Sequence, residues 1–170
     1  MQEKIAAEGV IRTACAKDFP RMLVLNTQSV HFLSPLSSKR LADLHNQAAY
    51  RKIIEVDGQV QAFLLAFRQG ADYDSPNYIW FSQRYHAFCY IDRVVVQQDH
   101  RRQGFAAALY DDLLRSVCEG EKVPITCEID IMPANPHSLS FHDRYGFIEV
   151  GRQWLYDGKK HVSMRERRCL

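Results

Sequence analysis

The stretch VVVQQDHRRQGFAAAL, residues 94–109, decides how the chain is read. Its three β-branched residues predict a strand, Gln97–Gln103 a polar turn, and the alanine-rich run after Gly104 a helix. A strand feeding a helix aims backbone N–H groups at one point, because the first helical turn carries unpaired amides and partial positive charge. Gly104 removes a Cβ where an anion would approach the backbone, and Ala106 keeps the next position small. Arg101 and Arg102 add charge-assisted donors for phosphate oxygens. A solvated surface turn fits the same residues, so at this level both readings stand. The chain has neither GxxxxGK followed by Ser or Thr nor GxGxxG, which excludes a P-loop and a Rossmann dinucleotide turn.

Working outward, 170 residues suit one domain (1–170), and 46% hydrophobic with 25% charged residues suits a globular protein with one sizeable core. A net charge of +2 gives no basic field, so no nucleic-acid partner is expected. No apolar run approaches the ~18 residues of a membrane span, and the N-terminal residues show no apolar leader core, so a cytoplasmic protein without a membrane partner is expected. Cys15, Cys89, Cys118, Cys127 and Cys169 are odd in number and lack CxxC spacing, which predicts free thiols in a reducing compartment. The basic terminus MRERRCL reads as a solvated tail.

Along the chain, GVIRTAC reads as a strand, AKDFPRMLVLNTQSVHFL as a helix capped by Asp18 with Val30 on its apolar stripe, and SPLSSKRLADLHNQAA as a second helix. Asp57-Gly58 and Asp157-Gly158 each join two β-rich runs into a hairpin. QGADYDSPNYIWFSQRYHAF reads as a long aromatic loop, CYIDRVVV and VPITCEIDI as strands, and HSLSFHDRYG as a short helix. The order β-α-α-β-β-β-α-β-α-β-β describes one mixed α/β domain.

Arg101-x-x-Gly104-x-Ala106 after Val94-Val95-Val96 resembles the acyl-coenzyme A signature (Q/R)xxGx(G/A) of the GNAT superfamily of N-acetyltransferases. Asn135, Phe141, Gly146 and Phe147 follow as in the family's second motif, and ADYDSPNY with NPHSLSFHDRYGF is similar to a bacterial group of GNAT acetyltransferases. The resemblance covers essentially the whole chain. It implies a GNAT fold, a mixed central sheet with splayed parallel strands flanked by helices, and acetyl-CoA as co-substrate. It also implies that backbone groups of Val94, Val95 and Val96 hold the pantetheine arm. Arg101, Arg102, Gln103, Gly104, Phe105, Ala106 and Ala107 would wrap the pyrophosphate, with Asn135, Ser138 and His142 beside the pantetheine. Asn135 before Pro136 is equally well placed as a helix N-cap.

The family places a tyrosine, which protonates the departing thiolate, where this chain has His142. Histidine can donate a proton, and its ordinary pKa lies roughly 3–4 units below that of tyrosine. Tyr145 is the fallback acid. Asp92 and Glu128 are candidates for accepting the amine proton, Asp92 being equally explicable as a partner of Arg93. Tyr73, Asp74, Asn77, Tyr78 and Trp80 are the candidate acceptor-binding residues, with packing of their own aromatics as the alternative. No metal site is expected, since His100, His137, His142 and His161 lack HxxxH or HExxH spacing. The expected activity is direct acetyl transfer to a small-molecule amine. A coenzyme A-binding sensor and a protein or peptide acetyltransferase are the alternatives, and the closing hairpin offers an edge for a homodimer.

Overall fold

The computed structural model describes residues 9–29 and 33–170; Val30 and the first eight residues lie outside them. The strands are β1 (Val10–Thr13), β2 (Tyr50–Val56), β3 (Gln59–Arg68), β4 (Cys89–Val96), β5 (Ile125–Met132), β6 (Ile148–Leu155) and β7 (Lys160–Arg167). The helices are α1 (Phe19–Thr27), α2 (Ser38–Gln47), α3 (Pro76–Ser82), α4 (Phe105–Glu119) and α5 (Pro136–Arg144). The seven strands form one mixed, mostly antiparallel sheet in the order β1-β2-β3-β4-β5-β7-β6. The chain resolves into two compact units, 1–67 with 92–116, and 68–91 with 117–170, so β4 belongs partly to each.

In the first unit, Asp57 (φ +50°) and Gly58 (φ +74°) turn β2 into β3 as the Asp-Gly pair predicts. Met22, Leu25, Leu41 and Leu44 bury the apolar stripes of α1 and α2. Asp18 does not cap α1. Its carboxylate accepts from the Cys15 amide at 2.8 Å and from Arg12 at 2.8 and 2.9 Å, because the chain makes a 3-10 turn before the helix begins. At the end of β4, Arg93 donates to Asp92 (2.6 Å), Asn26 (3.0 Å) and Ser34, and both charged side chains are about 95% buried.

In the second unit, β4 and β5 pair in parallel at Cys89–Ile125 and Tyr90–Thr126, and β7 lies between β5 and β6. Cross-strand partners share a face. One face therefore carries Thr126, Glu128 and Asp130 of β5, Met164 and Val162 of β7, and Gly151 and Gln153 of β6. The segment expected to be a loop contains α3, whose start Ser75 caps by accepting from the Tyr78 amide, with Pro76 at the first helical position. This helix lies on that face. The Trp80 ring fills the space above Gly151, where a Cβ would come within 2.6 Å, and Asn77 accepts from Gln153 at 3.0 Å. Tyr73, Tyr78, Phe81, Phe88 and Tyr90 pack ring against ring beneath it. The opposite face carries Cys127, Ser163 and Arg165 and meets α5, where Arg165 pairs with Asp143 and Arg167 donates to the Tyr145 carbonyl.

The cysteines depart from expectation. Cys118 and Cys169 form a disulfide, and only Cys15, Cys89 and Cys127 are free thiols. The C-terminal residues are correspondingly not a solvated tail. Met164 and Glu166 are buried in β7, whose end runs beside the start of β5 (Arg167 opposite Ile125), bringing Cys169 back to the end of α4.

Candidate active site

The opening stretch builds its turn from left-handed backbone. Arg102 sits at φ +64° and Gly104 at φ +83°, one residue apart, and the Gly104 carbonyl accepts from the Ala108 amide to begin α4. The two left-handed residues, with Gln103 between them, bend the chain sharply just ahead of the free amides of the first turn of α4. Nothing lies within 4 Å of where a Gly104 Cβ would stand, so the space beside the backbone is open. Phe105 is buried and roots the helix start, its ring edge-on to His100 at 5.6 Å, whereas Arg101 and Arg102 are exposed. Gln103 donates to the Asp99 carbonyl and closes the turn. Val95 packs into the core, while Val94 and Val96 are half-buried, as are Ala106 and Ala107. These residues fit a diphosphate and its attached arm.

A profile of the acetyltransferase (GNAT) domain family matches residues 28–167. The chain belongs to the GNAT acetyltransferase family. It is an acetyl-CoA-dependent acyltransferase. No curated protein matches the chain. The acetyltransferase is similar in fold to Ard1 from Thermoplasma volcanium (20% identity, TM-score 0.76, 95% of this chain and 98% of that one). It is similar too to the ribosomal-protein-S18-alanine N-acetyltransferase from Escherichia coli (17%, 0.70, 95% and 94%). A third similar structure is Arabidopsis thaliana Naa50 in complex with the bisubstrate analogue CoA-Ac-MVNAL (13%, 0.71, 95% and 99%).

The other candidate residues of the acetyltransferase are divided. Asp92 belongs to the first unit with the cradle, while Glu128, Asn135, Ser138, His142 and Tyr145 belong to the second. Within the second unit, Glu128 accepts the Tyr90 hydroxyl at 2.7 Å on the face beneath α3, and His142 and Tyr145 lie on α5 against the other face. Asn135 caps α5, accepting from the Ser138 amide at 3.3 Å. His142 is 4% exposed and its Nδ1 lies 2.7 Å from the Ser138 carbonyl, which can only accept, so Nδ1 carries the proton and Nε2 the lone pair. Burial, seconded by Arg165, lowers its pKa to about 4 against the support of the Ser138 carbonyl. The imidazole is therefore neutral at physiological pH. Tyr145 stacks on Phe141 at 4.7 Å and is half-buried.

Among the acceptor candidates, Tyr73, Asn77 and Tyr78 are buried, Trp80 is half-buried and Asp74 is exposed. The Tyr78 hydroxyl donates to the Arg68 carbonyl at 2.7 Å and accepts from the Ala71 amide. Burial pushes the thiols up, Cys89 to about 12 and Cys127 also well above its ordinary value, which keeps both protonated and poorly nucleophilic. Among the described residues no three His, Cys, Asp or Glu side chains group to hold a metal ion, and no helix is long and apolar enough to cross a membrane. Sequence reasoning passed over Tyr90, the partner of Glu128, and the buried pair Asp130–Lys160 (3.1 Å). Strand alternation places Glu128 and Asp130 on one face, and that signal was available.

Proposed function

We propose that the protein, acting as one domain over residues 1–170, transfers an acetyl group from acetyl-CoA to the primary amine of a small molecule by direct attack. The carrying observation is α3, which rests on the Glu128 face through the Trp80–Gly151 and Asn77–Gln153 contacts and roofs it against an extended peptide. Val94, Val95 and Val96 hold the pantetheine through their backbone, and residues 101–107 hold the pyrophosphate. Asn135, Ser138 and His142 line the arm on the α5 side. Tyr73, Asp74, Asn77, Tyr78 and Trp80 shape the acceptor end. Glu128, steadied by Tyr90, takes the ammonium proton, with Asp92 and its Arg93 partner as the second carboxylate. The amine nitrogen attacks the thioester carbonyl carbon, the C–N bond forms and the C–S bond breaks. The departing thiolate then takes the Tyr145 hydroxyl proton, and the proton that the nitrogen sheds as the amide forms returns to the phenolate. His142 positions that end through its Nε2 acceptor, because its Nδ1 proton is committed to Ser138.

The bisubstrate analogue CoA-Ac-MVNAL bound to Naa50 favours a second reading, a peptide acceptor. Thiol release from acetyl-CoA against a panel of small amines and peptides, pH 6 to 9, separates the two. Amine-dependent release that falls at least about tenfold in Tyr145→Phe supports the enzyme and its acid. In His142→Phe the profile should keep its shape over this range. Peptide preference, or no release with any small amine, overturns the small-acceptor reading.

A further inference from the structure

The face of β5 beneath α3 holds a carboxylate that the reaction above does not use. Asp130 is 8% exposed, and its Oδ1 receives Lys160 Nζ at 3.1 Å. Its Oδ2 is fully buried and accepts no hydrogen bond from any described residue. Two residues earlier on the same face, Glu128 accepts from Tyr90. Same-face neighbours on a strand stand roughly 7 Å apart. Burial raises the Asp130 pKa, and Lys160 opposes that rise. A buried oxygen without a donor is costly, and such atoms persist where another molecule supplies the donor.

We propose that Asp130 is a specificity-determining residue, its Oδ2 receiving the second, non-reacting ammonium of an alkyl diamine whose other nitrogen lies beside Glu128. This rests on the acyltransfer reading of Glu128 and adds the substrate class. A spacing of roughly 7 Å fits four or five carbons between the nitrogens. Lys160 occupies Oδ1 and leaves Oδ2 to take the ligand.

Calorimetric titration of the whole chain, saturated with coenzyme A, with 1,4-diaminobutane, 1,5-diaminopentane and 1-aminobutane tests this without requiring turnover. Both diamines should bind at least about tenfold more tightly than the monoamine. Asp130→Asn should erase that preference and leave the monoamine unchanged. Lys160→Met, which removes the competing cation, should strengthen diamine binding several-fold, so a variant that merely loosens the fold is distinguishable by its opposite sign. Equal binding of mono- and diamines, no diamine binding, or loss of both ligands alike in Asp130→Asn overturns the proposal. Water resting on Oδ2 would give the first of these results. Coenzyme A binding without diamine preference defeats this inference alone, whereas failure to bind coenzyme A defeats the acyltransfer reading.

Discussion

The two compact units are stabilised by different chemistry, and the difference separates what each contributes. In the first, ion pairs tie the elements together. Buried Arg93 joins Asp92, Asn26 and Ser34, and the partly exposed Arg12 bridges Asp18 and Glu55. On that base stands the turn proposed as an anion cradle, with left-handed Arg102 and Gly104 and exposed Arg101 and Arg102. In the second, an aromatic cluster and the Cys118–Cys169 disulfide do the holding, and the candidate chemistry lies in side chains, His142 and Asp130 among them, that burial has altered. A ligand site made of backbone tolerates solvent, whereas side-chain chemistry is set by what covers it.

Arg93→Ala should show the largest effect. It leaves the Asp92 carboxylate buried without its cation, at a cost of about 3–5 kcal/mol in urea denaturation. A loss under about 1 kcal/mol would mean that charge does not hold the first unit. Reduction, or Cys118→Ser, opens a cross-link spanning 51 residues and should cost roughly 3–4 kcal/mol. Amide exchange should then rise in β7 while the amides of β1–β3 keep their protection. Equal loosening of both sets would erase the distinction.

The third test is pH. His142 has an ordinary value of 6.5 and about 4 when folded, so the unfolded chain binds more protons between those values. Its contribution is present above pH 6.5 and is lost as pH falls toward 4, by up to about 3 kcal/mol. Asp18 is held down to about 2, first by its bond to Arg12, and stabilises above its ordinary value of 3.8, with the loss coming only as pH falls from there toward 2. Urea midpoints between pH 4 and 7 should therefore slope in the wild type and flatten in His142→Phe. An unchanged slope in that variant would place the acid sensitivity elsewhere.

Local chemistry made much of the fold legible. Asp57-Gly58 demanded positive φ and made a hairpin, and Asn135-Pro136 marked a helix start that the structure repeats as a cap. Ser75-Pro76 carries the same kind of signal for α3. The surrounding aromatics obscure it, because together they read as one loop. The turn at Arg102 and Gly104 and the start of α4 were legible for a similar reason, since glycine and helix-start preferences are local.

The sequence by itself determined the seven strands, four of the five helices, the two Asp-Gly hairpins and the turn proposed as an anion cradle, because each rests on backbone preferences acting over a few residues. Only the tertiary structure decided the disulfide, which exists because antiparallel β7 returns Cys169 to the start of β5. It alone decided the state of His142 and the unfilled oxygen of Asp130 as well. Desolvation and hydrogen-bond partners come from residues distant in the chain, and no local pattern encodes them.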